Sequence, residues 1–134
     1  SEVASGGEIS RLMLSLKALI AHAMALPSIV FDEVDTGVSG EIADKMAGIM
    51  REMAECMQVI SITHLPQVAS LGQTHYRVYK SDTETSTATH LIKLSEKERI
   101  EEIARMLSGS SLTAAALDNA CELLKRNDLK DGKK

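Results

Sequence analysis

The fold is decided by Ile29-Val30-Phe31-Asp32-Glu33 and by Val59-Ile60-Ser61-Ile62-Thr63-His64. Each stretch begins as a short apolar run without alternation, which is typical of a buried parallel strand, and ends abruptly in polar side chains. The residues between them carry apolar side chains at helical spacing from about Gly40 to Glu55, namely Ile42, Met46, Ile49, Met50 and Met53. Strand, helix and strand in this order predict a parallel βαβ unit.

Three polar side chains are predicted to meet where these strands end. Asp32 and Glu33 follow the first strand, and His64 follows the second. Because ligands of open α/β sheets bind beyond the carboxyl ends of parallel strands, we expect a single crevice there. An Asp in this position suits Mg²⁺ beside a triphosphate, a neighbouring Glu can orient or deprotonate a water, and a His can bind a phosphate oxygen. Taken singly, an Asp-Glu pair after a strand is more often only a solvated loop, and a lone His is more often structural or merely exposed.

Another candidate site is the segment Ser5-Gly6-Gly7-Glu8, at the start of a helix predicted from Glu8 to about Met24. Glycines before a helix leave backbone N–H groups and the positive end of the helix dipole open to an anion, and Ser5 adds a hydroxyl. An ordinary N-cap is the alternative interpretation. The face of this helix that we expect to be buried consists of Ile9, Leu12, Met13, Leu16, Leu19, Ile20 and Ala23.

The second half of the sequence predicts a short helix near residues 65–71, a β-hairpin and two helices. The hairpin strands are expected at residues 75–80 and 87–94, which are rich in Thr, Val, Ile and Tyr. Ser95, with Glu98 three residues on, predicts a capping box at the start of the next helix.

The last helix is expected to run from about Ser111 to Arg126, and residues 127–134 are expected to form a flexible tail. Gly109 separates it from the preceding helix.

Composition limits the classes of function. The chain has 134 residues, of which 44% are apolar, and a net charge of −4, so it can bury a core but gives no support for general nucleic-acid binding. It has no apolar run long enough for a membrane span, and its first residues are not a basic patch before an apolar core, so we expect no signal peptide. Cys56 and Cys121 lie far apart and are predicted to be buried or half-buried free thiols of a cytosolic protein.

Together these segments resemble the motifs of ABC-type ATPases. Ser5 to Arg11 resembles the signature motif, Ile29 to Glu33 the Walker B strand, and Ile62 to His64 the switch-histidine loop. Two further stretches are similar to the SMC-like group of bacterial DNA repair ATPases, namely Phe31 to Gly40 and Thr63 to Ala69. The resemblance extends from Glu2 to about Arg126.

The resemblance implies a role for each motif residue. Asp32 would serve the Mg²⁺ site, Glu33 would position the hydrolytic water, and His64 would sense the γ-phosphate. The segment Ser5, Gly6, Gly7 and Glu8 would bind ATP in trans, on the other head of a homodimer. The family's usual Asp six residues after the catalytic Glu is replaced here by Ser39, and Asp35 receives no role.

The resemblance also implies missing parts. No Gly-rich phosphate loop with its Lys occurs in these 134 residues. We therefore expect an α/β fold that is a partial P-loop NTPase: the C-terminal lobe of an ABC ATPase head over residues 1–126, with parallel strands, flanking helices and a β-hairpin. The N-terminal half of the same protein would complete the site for ATP and Mg²⁺, and this segment alone should bind ATP weakly and not hydrolyse it. A sheet edge or an apolar face left by the missing lobe is expected to be exposed and prone to self-association.

The implied function is ATP hydrolysis in DNA double-strand break repair and recombination, in the cytoplasm at the nucleoid, with DNA as a partner of the full-length protein and no membrane. Two alternatives remain open. One is the head of another SMC-like protein or of an ABC transporter; the other is a non-catalytic interaction domain with vestigial motifs. An exchange of Glu33 for Gln in the full-length protein separates the first interpretation from the last.

Overall fold

The computed structural model describes residues 6–38, 40–109 and 111–131, with side chains up to Asp128. The chain divides into two compact units, Ser1–Leu71 and Gly72–Lys134, and each is considered by itself.

The first unit contains the predicted βαβ arrangement. Its elements are α1 (Gly6–Ala23), β1 (Ser28–Asp32), α2 (Gly40–Ala54), β2 (Gln58–Ile62) and α3 (Pro66–Ala69). β1 and β2 pair in parallel, in a register that runs from Ser28 opposite Gln58 to Asp32 opposite Ile62. The parallel pair confirms the topology that the two apolar runs predict.

The core of the first unit is built largely from α2 and the side chains that contact it. Met46, Met50 and Met53 of α2 are buried, as the helical spacing predicts. Phe31 of β1 and Leu14 of α1 are each only 1% exposed, and both belong to the same cluster. Burying an aromatic or branched side chain of this size contributes roughly 1.5–3 kcal/mol. Thioethers adapt to irregular gaps, which suits a core with a single Phe.

The face of α1 that packs on α2 differs from the predicted one. Its buried residues are Gly7, Leu14 and Ala21, which repeat every seven positions. Gly7 lies so close to α2 that an added Cβ would be 3.3 Å from Cδ1 of Ile42. The large residues expected to face inwards are exposed instead: Ile9, Leu12, Met13, Leu16, Leu19 and Ile20, with Met24 beyond them. The prediction was wrong because apolar residues cover so much of the helix that periodicity does not single out the contact face.

The two strands are also less buried than the sequence predicts. Phe31 is buried, but Val30, Ile60 and Ile62 are 58%, 46% and 50% exposed. Val30 and Ile60 are register partners, as are Asp32 and Ile62, so these residues share one face of the sheet. Only the opposite face, with Phe31, is covered by the unit's own core. Both faces of the β1–β2 sheet carry apolar residues, but among the described residues only one face is covered.

The second unit contains the predicted hairpin. It consists of β3 (Tyr76–Asp82), β4 (Thr87–Lys93), α4 (Glu96–Ser108) and α5 (Ala114–Asp131). β3 and β4 pair antiparallel, and the Thr83 hydroxyl donates to the Ser86 carbonyl oxygen across the turn. α5 continues to Asp131, beyond the expected end near Arg126, while residues 132–134 of the expected tail lie outside the described residues.

The start of α4 has the predicted capping box. The Glu98 N–H donates to the Ser95 hydroxyl, and the Ser95 N–H donates to the Glu98 carboxylate at 2.8 Å. The hydrogen bond from the Ser95 backbone holds the pKa of Glu98 below its ordinary value. Gly109 follows the helix with φ of 80°. Both signals that set the bounds of this helix were readable in the sequence.

Small and medium residues form the core of the second unit. Ile103 and Ala104 of α4 and Ala116 and Ala120 of α5 are buried where these helices meet. An ion pair at 3.6 Å between Arg77 of β3 and Glu102 of α4 joins the hairpin to the helix.

Both cysteines are free thiols. Cys121 is half-buried, as predicted, but Cys56 is exposed in the turn after α2 rather than buried on that helix. Among the helices that the structure describes, none is both long and apolar enough to cross a membrane.

Candidate functional site

The carboxyl ends of β1 and β2 form the candidate site. Asp32 is the register partner of Ile62, and the Glu33 N–H donates to the Ile62 carbonyl oxygen at 2.9 Å, one step beyond the last strand residue. His64 follows Ile62 by two residues. The side chains of Asp32, Glu33 and His64 are all exposed. The acid pair and the imidazole therefore leave neighbouring strands at the same edge of the sheet, as the sequence predicts.

Glu33 has a backbone conformation that is uncommon for a residue with a side chain. Its φ is 48°, in the left-handed region that favours glycine. The turn is stabilised because both the N–H and the hydroxyl of Thr36 donate to the Glu33 carbonyl oxygen, at 3.3 and 2.9 Å. Such a conformation costs roughly 1–2 kcal/mol, and strain of this kind clusters at functional sites.

Behind this exposed edge lies a buried polar contact. Asp35 is 1% exposed, and its Oδ2 accepts a hydrogen bond from the Thr63 hydroxyl. The same hydroxyl oxygen accepts from the Leu65 N–H at 3.0 Å. The sequence-based prediction assigned Asp35 no role and overlooked Thr63. The sequence did contain a signal for this contact: an Asp shortly after the end of β1 and a hydroxyl residue directly after the end of β2.

The glycine segment lies on a different element. Gly6, Gly7 and Glu8 form the first turn of α1, while Ser5 lies outside the described residues. Gly6 and Glu8 are exposed, whereas Gly7 is buried against Ile42. The two glycines are thus part of the helix rather than a lead-in to it.

The donor set at the strand ends is compatible with Mg²⁺ beside a nucleotide. Within the described ranges, no group of three or more His, Cys, Asp or Glu side chains could hold a metal ion by itself. Mg²⁺ beside a triphosphate is commonly held by one or two carboxylates, phosphate oxygens and water. The exposed carboxylate of Asp32 fits that mode, and a site made only of protein ligands does not exist in this part of the molecule.

Structural comparison defines the class. No protein-family model matches the chain. A solved chain from work on the ATP-driven dimerisation and DNA-stimulated activation of SMC ATPases is similar, with a TM-score of 0.63 over 81% of this chain and 65% of that chain. The two are 18% identical, so the likeness shows the fold alone. The fold is that of part of an SMC-type ATPase head, as predicted.

Sequence comparison then identifies the family. The chain is 46% identical over 124 residues to the DNA repair protein RecN of Rickettsia conorii, and 42% identical to that of Haemophilus influenzae. It is 44% identical over 128 residues to RecN of Bacillus subtilis. These matches cover 92%, 92% and 96% of this chain. The chain belongs to the RecN family, and it spans 23%, 22% and 22% of the length of these relatives.

Proposed function

We propose that this chain supplies the signature segment, the acid pair and the switch histidine of an ATP-hydrolysing head that acts in DNA double-strand break repair and recombination. The observation that carries the proposal is the alignment of the strand ends. The Glu33 N–H bonds to Ile62 while Asp32 is the partner of Ile62, so the acid pair and His64 share an edge. If Asp32 and Glu33 were only the polar end of a loop, nothing would require an imidazole at the end of the neighbouring strand.

Each of the three side chains has a distinct task in this proposal. Asp32 binds the metal ion, either directly or through water. The Glu33 carboxylate accepts a proton or a hydrogen bond from the attacking water and so orients it. His64 donates a hydrogen bond to a terminal phosphate oxygen. When bound, Mg²⁺ neutralises the charge that develops on the phosphate oxygens.

The first proposed partner is the remainder of the same protein. The chain spans less than a quarter of its relatives' length, and it lacks a phosphate loop. α1 presents six exposed large apolar side chains, and the sheet exposes Val30, Ile60 and Ile62. An apolar pocket of about 240 Å³ opens between α1 and Val34, the residue after Glu33. Surfaces of this size on a soluble domain are usually covered in the intact protein, and we assign this cover to the rest of the polypeptide.

The second proposed partner is another copy of the head. Gly6 and Glu8 are exposed at the N-terminal end of α1, where backbone N–H groups favour an anion. In the proposed dimer this end, with Ser5, closes on ATP held by the opposite head. DNA is a partner of the full-length protein, and no surface of this chain is assigned to it, because the net charge is −4.

The test is Glu33→Gln in the full-length protein. We expect ATP hydrolysis to fall by about 100-fold or more, while ATP-dependent dimers persist longer, because the variant binds nucleotide but lacks the base. Steady-state phosphate release and light scattering with and without ATP measure the two effects.

The matched control is Glu52→Gln. Glu52 is exposed near the end of α2, which leads to the amino end of β2, away from the proposed site. Hydrolysis in this variant should equal that of the unaltered protein. Unchanged hydrolysis and dimerisation in Glu33→Gln would instead favour a non-catalytic interaction domain.

A further inference from the structure

We propose that Asp35 is a positioning residue, which fixes the loop carrying His64 relative to the turn carrying Glu33 by way of the Thr63 hydroxyl. The inference rests on the proposed function and extends it to Asp35 and Thr63, two residues within the motif stretches that have so far received no role. Asp35 does not itself contact the reacting groups in this proposal.

The two segments are joined at two points. On the strand side, the Glu33 N–H donates to the Ile62 carbonyl oxygen at 2.9 Å. On the loop side, Asp35 accepts from Thr63, a residue 28 positions along the chain. The first connection is an ordinary continuation of the β-ladder, whereas the second depends on two particular side chains.

Thr63 uses its hydroxyl in both directions. The hydroxyl donates a hydrogen bond to Oδ2 of Asp35, and its oxygen accepts one from the Leu65 N–H at 3.0 Å. This local bond closes a turn around His64, the residue between them. With the proton directed at Asp35, the hydroxyl orientation is fixed, and so is the path of the backbone on both sides of the imidazole.

The burial of Asp35 argues that its carboxylate has a specific purpose. It is 1% exposed, and Val38, whose N–H donates to the Asp35 carbonyl oxygen at 3.0 Å, is buried as well. A buried carboxyl group is destabilising unless it is hydrogen-bonded, and its Oδ1 has no hydrogen-bond partner among the described residues. The hydrogen bond from Thr63 to the other oxygen, Oδ2, therefore compensates part of the cost of burying this side chain.

The expected consequence concerns geometry at the reacting phosphate. A displacement of about 1 Å in a catalytic group can lower a rate by about 100-fold without changing how tightly substrate binds. Loss of the Asp35–Thr63 contact should therefore lower kcat for ATP hydrolysis and leave KM nearly unchanged.

The experiment is a set of variants of the full-length protein. Thr63→Val keeps the shape of the side chain but removes the hydroxyl, and we expect kcat to fall by about 10- to 100-fold with KM for ATP within about twofold. Thr63→Ser restores the hydroxyl, and kcat should return to within about threefold of the original value. Asp35→Asn can still accept from Thr63 and should have a smaller effect than Asp35→Ala.

A combination with His64→Gln separates positioning from general support of the fold. If Asp35 and Thr63 act through the imidazole, Thr63→Val added to His64→Gln should lower kcat no further. A structural role would reduce activity in both backgrounds by the same factor. Ser28→Ala, which removes an exposed hydroxyl at the amino end of β1, the end opposite the site, is the control and should leave kcat unchanged.

Two outcomes overturn the inference. One is full kcat in Thr63→Val, and the other is a multiplicative effect of Thr63→Val and His64→Gln. Glu33→Gln, measured in parallel, distinguishes this failure from a failure of the proposed function. If that variant still hydrolyses ATP, the function is wrong; if it is inactive while Thr63→Val is normal, only the role of Asp35 is wrong.

Discussion

Glu33 combines two properties that conflict in most residues. Its side chain is exposed at the strand ends, where a proposed base must reach water, and its backbone has the positive φ that a glycine adopts more easily. The strain is offset by the two hydrogen bonds from Thr36 to its carbonyl oxygen. A site that needs a carboxylate at this point of the turn thus accepts a less stable backbone.

This conflict predicts that stability and activity respond in opposite directions at Glu33. Glu33→Gly should raise the free energy of unfolding of the chain by about 1 kcal/mol, because the left-handed conformation no longer opposes a side chain. Urea denaturation followed by circular dichroism measures the change. Glu33→Gln keeps the strained backbone and is the control, with an unchanged midpoint expected. A Glu33→Gly variant less stable than the Gln variant would contradict the strain argument.

At the scale of residues, the sequence was sufficient for part of the site. Asp32, Glu33 and His64 were predicted to share one edge because parallel strands align their carboxyl ends, whatever the rest of the fold does. The contact of Asp35 with Thr63 was not predicted, since it depends on the strand register and on the path of two loops. Ser5 lies outside the described residues, and the roles of the motif residues stay predictions.

At the scale of elements, α1 illustrates why a helix can be predicted while its contact face is not. The Gly7, Leu14 and Ala21 seam packs on α2, and the larger apolar residues point elsewhere. Gly7 permits a close approach of the two helices, so one of their contacts is made at a position that hydrophobic periodicity does not mark. The hairpin and the capping box of α4 were predicted correctly, because both follow from short-range signals.

The exposed face of α1 predicts a difference between this chain and the full-length protein. Leu12→Ser and Leu19→Ser, at residues 68% and 70% exposed, should change the unfolding free energy of the 134-residue chain by about 0.5 kcal/mol or less. In the full-length protein, where we propose that these residues are covered, each should destabilise the head by about 1–3 kcal/mol.

Leu14→Ala serves as the comparison for these variants. Leu14 is 1% exposed, so its truncation should cost about 2–5 kcal/mol in both contexts. Chemical denaturation of the chain and of the full-length protein provides the measurement. If Leu12→Ser and Leu19→Ser have equally small effects on the unfolding free energy of both proteins, the proposal that the rest of the polypeptide covers these residues is wrong.

At the scale of the whole molecule, the chain contains only part of the proposed ATP site. Each of its two sheets has only two strands among the described residues, and sheets of that size are marginal without further support. The parallel pair carries the proposed catalytic residues but no residues to cradle the phosphates. The α/β class was predictable from the order of the elements, whereas the extent of uncovered surface was not, because apolar runs do not reveal which part of a protein covers them.

The incomplete site predicts that the 134-residue chain does not hydrolyse ATP above background. The backbone donors and Lys that hold the β- and γ-phosphates are absent from this sequence, so ATP should bind weakly and should not be hydrolysed. Phosphate release by the purified chain, compared with the Glu33→Gln form of the same chain, tests this. Turnover that disappears in the variant would show that the segment is active by itself.

The uncovered side of α1 also has a consequence for the fate of the protein in a cell. A copy of this region severed from the rest of its polypeptide would display a row of leucine, isoleucine and methionine side chains along a single helix. Chaperones and proteases select molecules by such surfaces, so the severed piece should be removed quickly while intact molecules survive. Cleavage of the polypeptide would then lead to the removal of pieces that lack the rest of the proposed nucleotide site.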